Sequence, residues 1–205
     1  MGARSTGSHP TTTKADGHLI DYFRQTFGAG GGGTNVPPPS PLAATGGVIS
    51  DYTSGSDVYR SHVFTSSGSL VVSTLGSGTG FDTIEYLVIG GGGGGGYDVG
   101  GGGGAGGYRS SVSGENTGGG GSLESAVTIT STGTFPVIVG GGGLGGPASG
   151  TVSGFGGNPS TLSLPGHGSP VVSQGGGGGG GRENDNAEVG GSGGGGSGLA
   201  GGSGA

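Results

Sequence analysis

Three times along this chain, a short run of apolar residues leads into an unbroken tract of glycine. Residues 85–89 are followed by seven glycines at 90–96, and similar steps occur at 135–143 and 170–178. Ordering a glycine costs roughly 0.5–1 kcal/mol more than ordering an alanine, because glycine loses more conformational freedom on folding. A folded chain that keeps such tracts must therefore need backbones that approach each other without side chains.

Glycine supplies 64 of the 205 residues, and this content allows two interpretations. Polyproline-II helices have three residues per turn and a rise of about 3.1 Å, with backbone polar groups pointing outward. Glycine helices of this kind can hydrogen-bond to one another when they lie side by side, and residues 90–96 would span roughly 22 Å. In the alternative interpretation the tracts are flexible linkers. We expect the ordered arrangement up to residue 181 and leave both interpretations open for the tail at 190–205.

Short stretches rich in β-branched and aromatic residues predict a mostly β fold. Glycine- and serine-rich turns separate these stretches. The alternation in residues 57–65 is imperfect, and we interpret that stretch as a half-buried strand. The predicted strands cover residues 48–52, 57–65, 69–75, 83–89, 126–130 and 135–139, and another begins near residue 160.

The N-terminal part differs from the remainder in composition, and this difference predicts three regions. Residues 1–27 contain an amphipathic segment at 15–27, whose apolar residues fall at helical spacing. A short amphipathic segment cannot bury its own apolar face, so we expect it to dock on another protein or on this chain. Residues 28–46 form a glycine- and proline-rich linker, and residues 47–205 form the main domain. The attachment candidates are Leu19, Ile20, Tyr22, Phe23 and Phe27.

Charge and composition exclude several functions. The formal net charge is −6, and no basic stripe provides a footprint for nucleic acid. There is no cysteine for disulfides or thiolate metal sites. Apolar runs are shorter than the ~18 residues of a spanning helix, so we expect no membrane insertion. The first residues lack the apolar core of a cleaved signal peptide.

Several segments together resemble the glycine-rich domain of phage tail fibre and adhesin proteins, a family common in phages of marine bacteria. The resemblance covers about residues 47–205, and the segments follow the family's order. Residues 21–27, followed by 30–35, also resemble the front end of some of these proteins. The segments that carry the domain resemblance are residues 58–70, 85–94, 103–110, 137–146, 156–162 and 190–197.

The resemblance implies a virion structural protein with a β-sandwich or jelly-roll-like part and a bundle of glycine-rich polyproline-II helices. It implies extracellular display on the particle, attachment to other virion proteins through the N-terminal segment, and a homotrimer. A host-surface glycan or outer-membrane protein would be the receptor. A long fibre shaft is missing, so a head fibre, capsid decoration or collar protein is the alternative. An ice- or surface-binding protein is a third class, and the irregular breaks between tracts speak against it.

Polar and aromatic residues at breaks in the glycine tracts are the candidate receptor-binding residues, because loops on a rigid scaffold commonly carry recognition. The alternative is that they only cap the tracts and keep the edges soluble. We expect no enzyme activity, cofactor or metal, because the histidines lack ligand spacing and no serine lies in a nucleophile motif. Residues 183–188 could offer oxygens to calcium, but they lack the spacing of a calcium loop, so solvated charge is the preferred interpretation. The candidates are Tyr97, Asp98, Tyr108, Arg109, Asn116, Arg182, Asn184 and Asp185.

Overall fold

A computed structural model describes residues 38–148, 152–182 and 186–198. The predicted β-rich fold is confirmed, and these residues contain no helix. The described strands are short and pair in antiparallel fashion. They are β1 (Ala43–Thr45), β2 (Val48–Ser54), β3 (Asp57–Val63), β4 (Gly68–Thr74), β5 (Thr83–Ile84), β6 (Leu87–Ile89), β7 (Tyr108–Ser110), β8 (Val127–Thr128), β9 (Gly133–Ile138), β10 (Ser160–Leu162) and β11 (Val171–Ser173).

The largest sheet has five strands in the order β1-β4-β9-β10-β11. Three two-stranded pairs accompany it, formed by β2 with β3, β5 with β8, and β6 with β7. One apolar cluster joins the five-stranded sheet to the pairs β5–β8 and β6–β7. Its buried members are Leu70, Val72, Tyr86, Val88, Val127, Ile129, Val137, Leu164 and Val171.

The structure corrects several details of the sequence analysis. The single strand predicted at 83–89 is two strands with different partners, because the chain changes neighbours after Ile84. Tyr108, expected to begin a polar excursion, begins strand β7. The strand expected to be half-buried, β3, is mostly exposed. The compact unit begins at Pro39, so the end of the expected linker at 28–46 belongs to the fold. The expected attachment segment at 1–27 lies outside the described residues.

The glycine tracts form an array of extended segments held together by backbone hydrogen bonds. We number these segments in chain order and call the whole set the glycine array. In the described part of the chain they are segment I (residues 90–97), II (100–107), III (140–146), IV (152–158), V (174–181), VI (186–191) and VII (192–198).

Hydrogen bonds between neighbouring segments recur every three residues. The N–H groups of Gly90, Gly93 and Gly96 donate to the carbonyls of residues 107, 104 and 101 in segment II. The N–H groups of residues 91, 94 and 97 donate to the carbonyls of residues 158, 155 and 152 in segment IV. The N–H groups of segment I therefore serve segments II and IV, and the residue numbers show that it runs antiparallel to both. Its carbonyls at residues 91, 92, 94 and 95 accept hydrogen bonds from segments III and V.

Segment V lies at the centre of the array. Residues 175–181 are buried without interruption. Each carbonyl from residue 174 to residue 180 accepts a backbone hydrogen bond of 2.7–2.9 Å from segment II, IV or VI. Segment V in turn donates to segments I and VII through residues 176, 177, 179 and 180. Buried backbone polar groups need such partners because water cannot reach them.

The close approach of these backbones requires glycine. A Cβ atom added at Gly178 would lie 1.9 Å from the carbonyl oxygen of Gly154, and one added at Gly177 would lie 1.8 Å from that of Glu188. Real Cβ atoms do not approach backbone oxygens this closely, so a substitution must push the segments apart. By contrast, a Cβ added at the exposed Gly102 would meet nothing within 4 Å.

Gly178→Ala should therefore lower the free energy of unfolding by at least about 3 kcal/mol, because it overpacks the array centre and breaks hydrogen bonds there. The matched control is Gly102→Ala, which should leave that free energy within about 1 kcal/mol of the parent value. Denaturant unfolding of both variants measures the difference. Equal stabilities would contradict a close-packed centre at segment V.

Candidate functional site

The direction of the segments brings distant parts of the chain to one end of the array. Residues 90, 107, 158 and 174 lie at the end that joins the β-strands, as their mutual hydrogen bonds and the flanking strands show. Residues 96, 101, 152 and 180 lie at the other end, again linked to one another or to shared neighbours. We call this second end the array tip and define it as residues 97–99, 146–148, 152, 181, 182 and 198.

A tight turn at the array tip connects segments I and II. The N–H of Gly96 donates to the carbonyl of Gly101 at 2.9 Å, which brings the two segments together around Asp98 and Val99. Asp98 and Val99 each have φ of 42°. This region is uncommon for side-chain-bearing residues and is strained for a β-branched residue such as valine. A turn built for stability alone would carry asparagine or glycine here.

Contacts across the array tip tie this turn to two other segments and to the end of segment V. The Arg182 guanidinium donates to the Asp98 carboxylate at 2.8 Å. The N–H of Tyr97 donates to the Val152 carbonyl at 3.3 Å, and the N–H of Gly198 donates to the Val99 carbonyl at 3.3 Å. The tip is therefore a connected surface assembled from segments I, II, IV, V and VII.

The array tip presents both apolar side chains and an ion pair to solvent. Val99 is 54% exposed, Val152 39% and Tyr97 36%. The ion-paired side chains of Arg182 and Asp98 are 46% and 43% exposed. An exposed ion pair of this kind adds little to stability, typically about 0–1 kcal/mol. Its charges remain accessible to an approaching ligand.

Three of the predicted binding residues meet at the array tip, namely Tyr97, Asp98 and Arg182. Asn184 and Asp185 lie outside the described residues, as do the attachment candidates Leu19, Ile20, Tyr22, Phe23 and Phe27. Tyr108, Arg109 and Asn116 lie in or after strand β7, at the end of segment II that joins the β-strands.

Arg109 belongs to a polar cluster between the array and the β-strands. Its guanidinium makes two bonds to the Glu124 carboxylate, at 2.6 and 2.7 Å, and a third to the carbonyl of Val172 in β11. The hydroxyls of Tyr86 and Thr117 also donate to Glu124. These bonds occupy the Arg109 guanidinium, and they join β7 to β11 near the ends of segments II and V.

The cluster shifts the pKa values of its members. Hydrogen bonds from Arg109, and then from Tyr86 and Thr117, lower the pKa of Glu124 to about 2, against the opposing effect of burial. Burial, together with the hydrogen bond to Glu124, raises the pKa of Tyr86 to about 12. The carboxylate is thus strongly held in its charged form. This is the behaviour expected of a structural ion pair that keeps both partners charged.

Two residues at the array tip, Val99 and Val152, were not among the predicted candidates. The sequence does contain information that places Val99 at the tip. The glycine tract at 90–96 leaves strand β6 and the tract at 100–107 leads into strand β7, so the turn that joins them lies at the end of the array away from the strands. Breaks within such a pair of tracts therefore lie at the tip, whereas breaks next to strands lie at the base. By this rule Tyr97 and Val99 belong to the tip and Tyr108 does not.

Other kinds of site are not found in the part of the chain that the structure describes. Its acidic and histidine side chains form no group able to hold a metal ion. It also contains no helix with the length and apolar character needed to cross a membrane. Comparison of the chain with family models, curated proteins and solved structures finds no match.

The depressed pKa of Glu124 predicts an acid-dependent loss of stability. The pKa of its carboxyl is about 2 in the folded chain and near the ordinary value of 4.5 when the chain is unfolded. The stabilisation is therefore present above pH 4.5 and declines as the pH falls towards 2. We expect Glu124→Gln to lower the free energy of unfolding by about 2 kcal/mol at pH 7 and by much less at pH 2.

The control for this experiment is Glu85→Gln, since Glu85 is an exposed carboxylate near the same end of the array. Urea unfolding of the parent and both variants at several pH values between 2 and 7 measures the effect. If the parent and Glu124→Gln differ equally at pH 2 and pH 7, the ion pair does not supply the pH-dependent stability.

Proposed function

We propose that this chain is a phage virion protein, a tail fibre or adhesin component that recognises the host surface through the array tip. The observation that carries the proposal is the gathering of Tyr97, Val99, Val152 and the Asp98–Arg182 pair at one end of an array otherwise built from glycine. The opposite end joins the β-strands. A rigid scaffold that exposes varied side chains at one end suits recognition.

We further propose that the seven segments are polyproline-II helices packed as a bundle. The three-residue repeat of their hydrogen bonds supports this assignment, because polyproline II has three residues per turn. Backbone angles support it as well. Within segments I to VII, Gly106 is the one described glycine with positive φ, so the remainder avoid the left-handed region.

The β-strands would form the sandwich on which this bundle is mounted. In this proposal the five-stranded sheet is one layer, and the pairs β5–β8 and β6–β7 contribute to the other. The buried cluster supports it, because Leu70, Val72, Val137 and Val171 come from the large sheet while Val88 and Val127 come from the small pairs.

The chemistry of the array tip favours a receptor with both apolar and polar groups, either a glycan or an outer-membrane protein. Tyrosine binds sugar rings and apolar surfaces alike, because its ring is large and its hydroxyl can form hydrogen bonds. The exposed guanidinium and carboxylate of the Asp98–Arg182 pair add directional bonds. The strain at Val99 is consistent with a turn kept for its surface shape, since backbone strain concentrates at functional sites.

Two variants test the role of the array tip. Tyr97→Ala should reduce binding of the purified chain to cells of the host bacterium by about tenfold or more, because it removes an aromatic anchor. Val99→Gly should relieve the strained turn and raise the free energy of unfolding by about 1 kcal/mol, while also weakening binding. Leu123→Ala, which truncates an exposed apolar residue away from the tip, is the matched control.

Cell binding and denaturant unfolding measure the two effects separately. Unchanged binding in both tip variants, with normal folding, would refute recognition by the tip. Imaging of the intact particle then decides the role. A position on the head or collar would favour a structural protein, such as a head fibre, capsid decoration or collar component.

A further inference from the structure

Strands β2 and β3 form an isolated two-stranded arm between β1 and β4. Every residue of β2 is exposed, and so are five of the seven residues of β3. The two strands pair with each other along their full length and belong to no other described sheet. We call residues 48–63 the β-arm.

The two faces of the β-arm differ in character. Side chains alternate along each strand, so directly paired residues share a face. One face carries the pairs Val48 with Val63, Ser50 with Ser61, and the stacked rings of Tyr52 and Tyr59, whose centroids are 5.3 Å apart. Asp57 is the one charged residue on that face, and it lies at the turn end of the arm.

The second face carries the charges. Asp51 lies opposite Arg60, and the guanidinium donates two hydrogen bonds to the carboxylate at 2.7 and 2.8 Å. Ile49 pairs with His62 on the same face. Thr53 and Val58 also pair on this face, and Val58 is 73% exposed. The two faces therefore differ in charge, with an uncharged Val and Tyr face and a charged face that also carries Val58 and Ile49.

The apolar side chains of the uncharged face are largely exposed to water, which the hydrophobic effect disfavours. Val48 is 67% exposed, Tyr52 52% and Val63 51%. A two-stranded ribbon is marginally stable in water unless further strands or a packed face support it. Both of its outer edges also offer unpaired backbone groups to a further strand. These features call for a partner that pairs with the edges and covers the uncharged face.

We propose that the partner is a second copy of this chain, with β2 of one arm pairing edge to edge with β3 of the next. Charge selects this arrangement. In the register already used within the arm, Asp51 of one copy would lie opposite Arg60 of its neighbour, which continues an alternating row of charges. Full-length pairing of β2 with a second β2 would place Asp51 opposite Asp51, and pairing of two β3 strands would place Arg60 opposite Arg60. Like charges directly opposite each other destabilise a sheet.

This pairing uses two different edges of each arm, so it propagates from copy to copy and ends when a ring closes. The unstaggered register makes a flat, open sheet, since closure of a ring requires tilted strands and a staggered register. In the widened sheet the Val and Tyr side chains of neighbouring copies would lie side by side on one face, and the row of Asp51 and Arg60 would lie on the other. The proposal stands independently of receptor recognition at the array tip.

Single-cysteine variants of the full chain test the pairing directly, because the chain has no cysteine of its own. Ser50 and Ser61 lie opposite each other in the register, so a mixture of Ser50→Cys and Ser61→Cys chains should form a disulfide between copies on mild oxidation. Each variant alone should form little covalent dimer. A mixture of Ser50→Cys with Ser131→Cys, an exposed site outside the arm, gives the rate of random collision.

Sedimentation in the ultracentrifuge measures association of the chains without covalent cross-linking. The parent chain should exceed its monomer mass of 18.8 kDa at about 100 µM. Val48→Ser combined with Val63→Ser should raise the dissociation constant at least about tenfold, with unchanged array stability because both side chains are already exposed. A parent chain that stays monomeric, or cross-links that form only within single-variant samples, would overturn the proposal.

Discussion

Hydrogen bonding between backbones that carry no side chains is the interaction on which the array depends. Only 27% of the chain is hydrophobic, and the described apolar core is confined to the β-strands and their flanks. The array has no comparable cluster, so its order must come from paired N–H and C=O groups and from close contact. Segment V is the clearest example, because residues 175–181 are buried and each carbonyl from residue 174 to residue 180 accepts a backbone hydrogen bond.

This source of order restricts where side chains can appear. Within the segments, Leu144 and Phe155 are 74% and 51% exposed, which places them on the outside of the array. Inside the array a Cβ would collide with a neighbouring carbonyl, as at Gly93 and Gly94. Chemical variety is therefore confined to the outer surface and to the turns. The array tip is the place where several turns meet, so the constraint that builds the array also determines where a binding surface can lie.

The sequence predicted the strands well because alternation and β-branched residues report directly on a pleated surface. It failed for β7, where Tyr108 directly follows glycine and the strand is only three residues long. The sequence could not reveal which glycine tracts are neighbours in the array, because glycine has no side chain to form a pattern and the tracts are nearly identical in sequence. Arg109 was misjudged for a related reason. Its partner, Glu124, lies 15 residues away, beyond a polar stretch that carries no periodicity.

Glycine serves a different purpose at the root of the β-arm. Gly46 has φ of 118°, and a Cβ added there would lie 2.1 Å from the carbonyl oxygen of Ser69. The carbonyl of Gly46 is also bonded to the His62 ring at 2.8 Å. The chain can leave β1 and enter the arm in this direction only if that position is glycine. Because β1 and β4 are fixed in the five-stranded sheet, this junction transmits the orientation of the sheet to the arm. An arm held in a defined direction loses less entropy on association than a flexible one, which favours its use as a contact between copies.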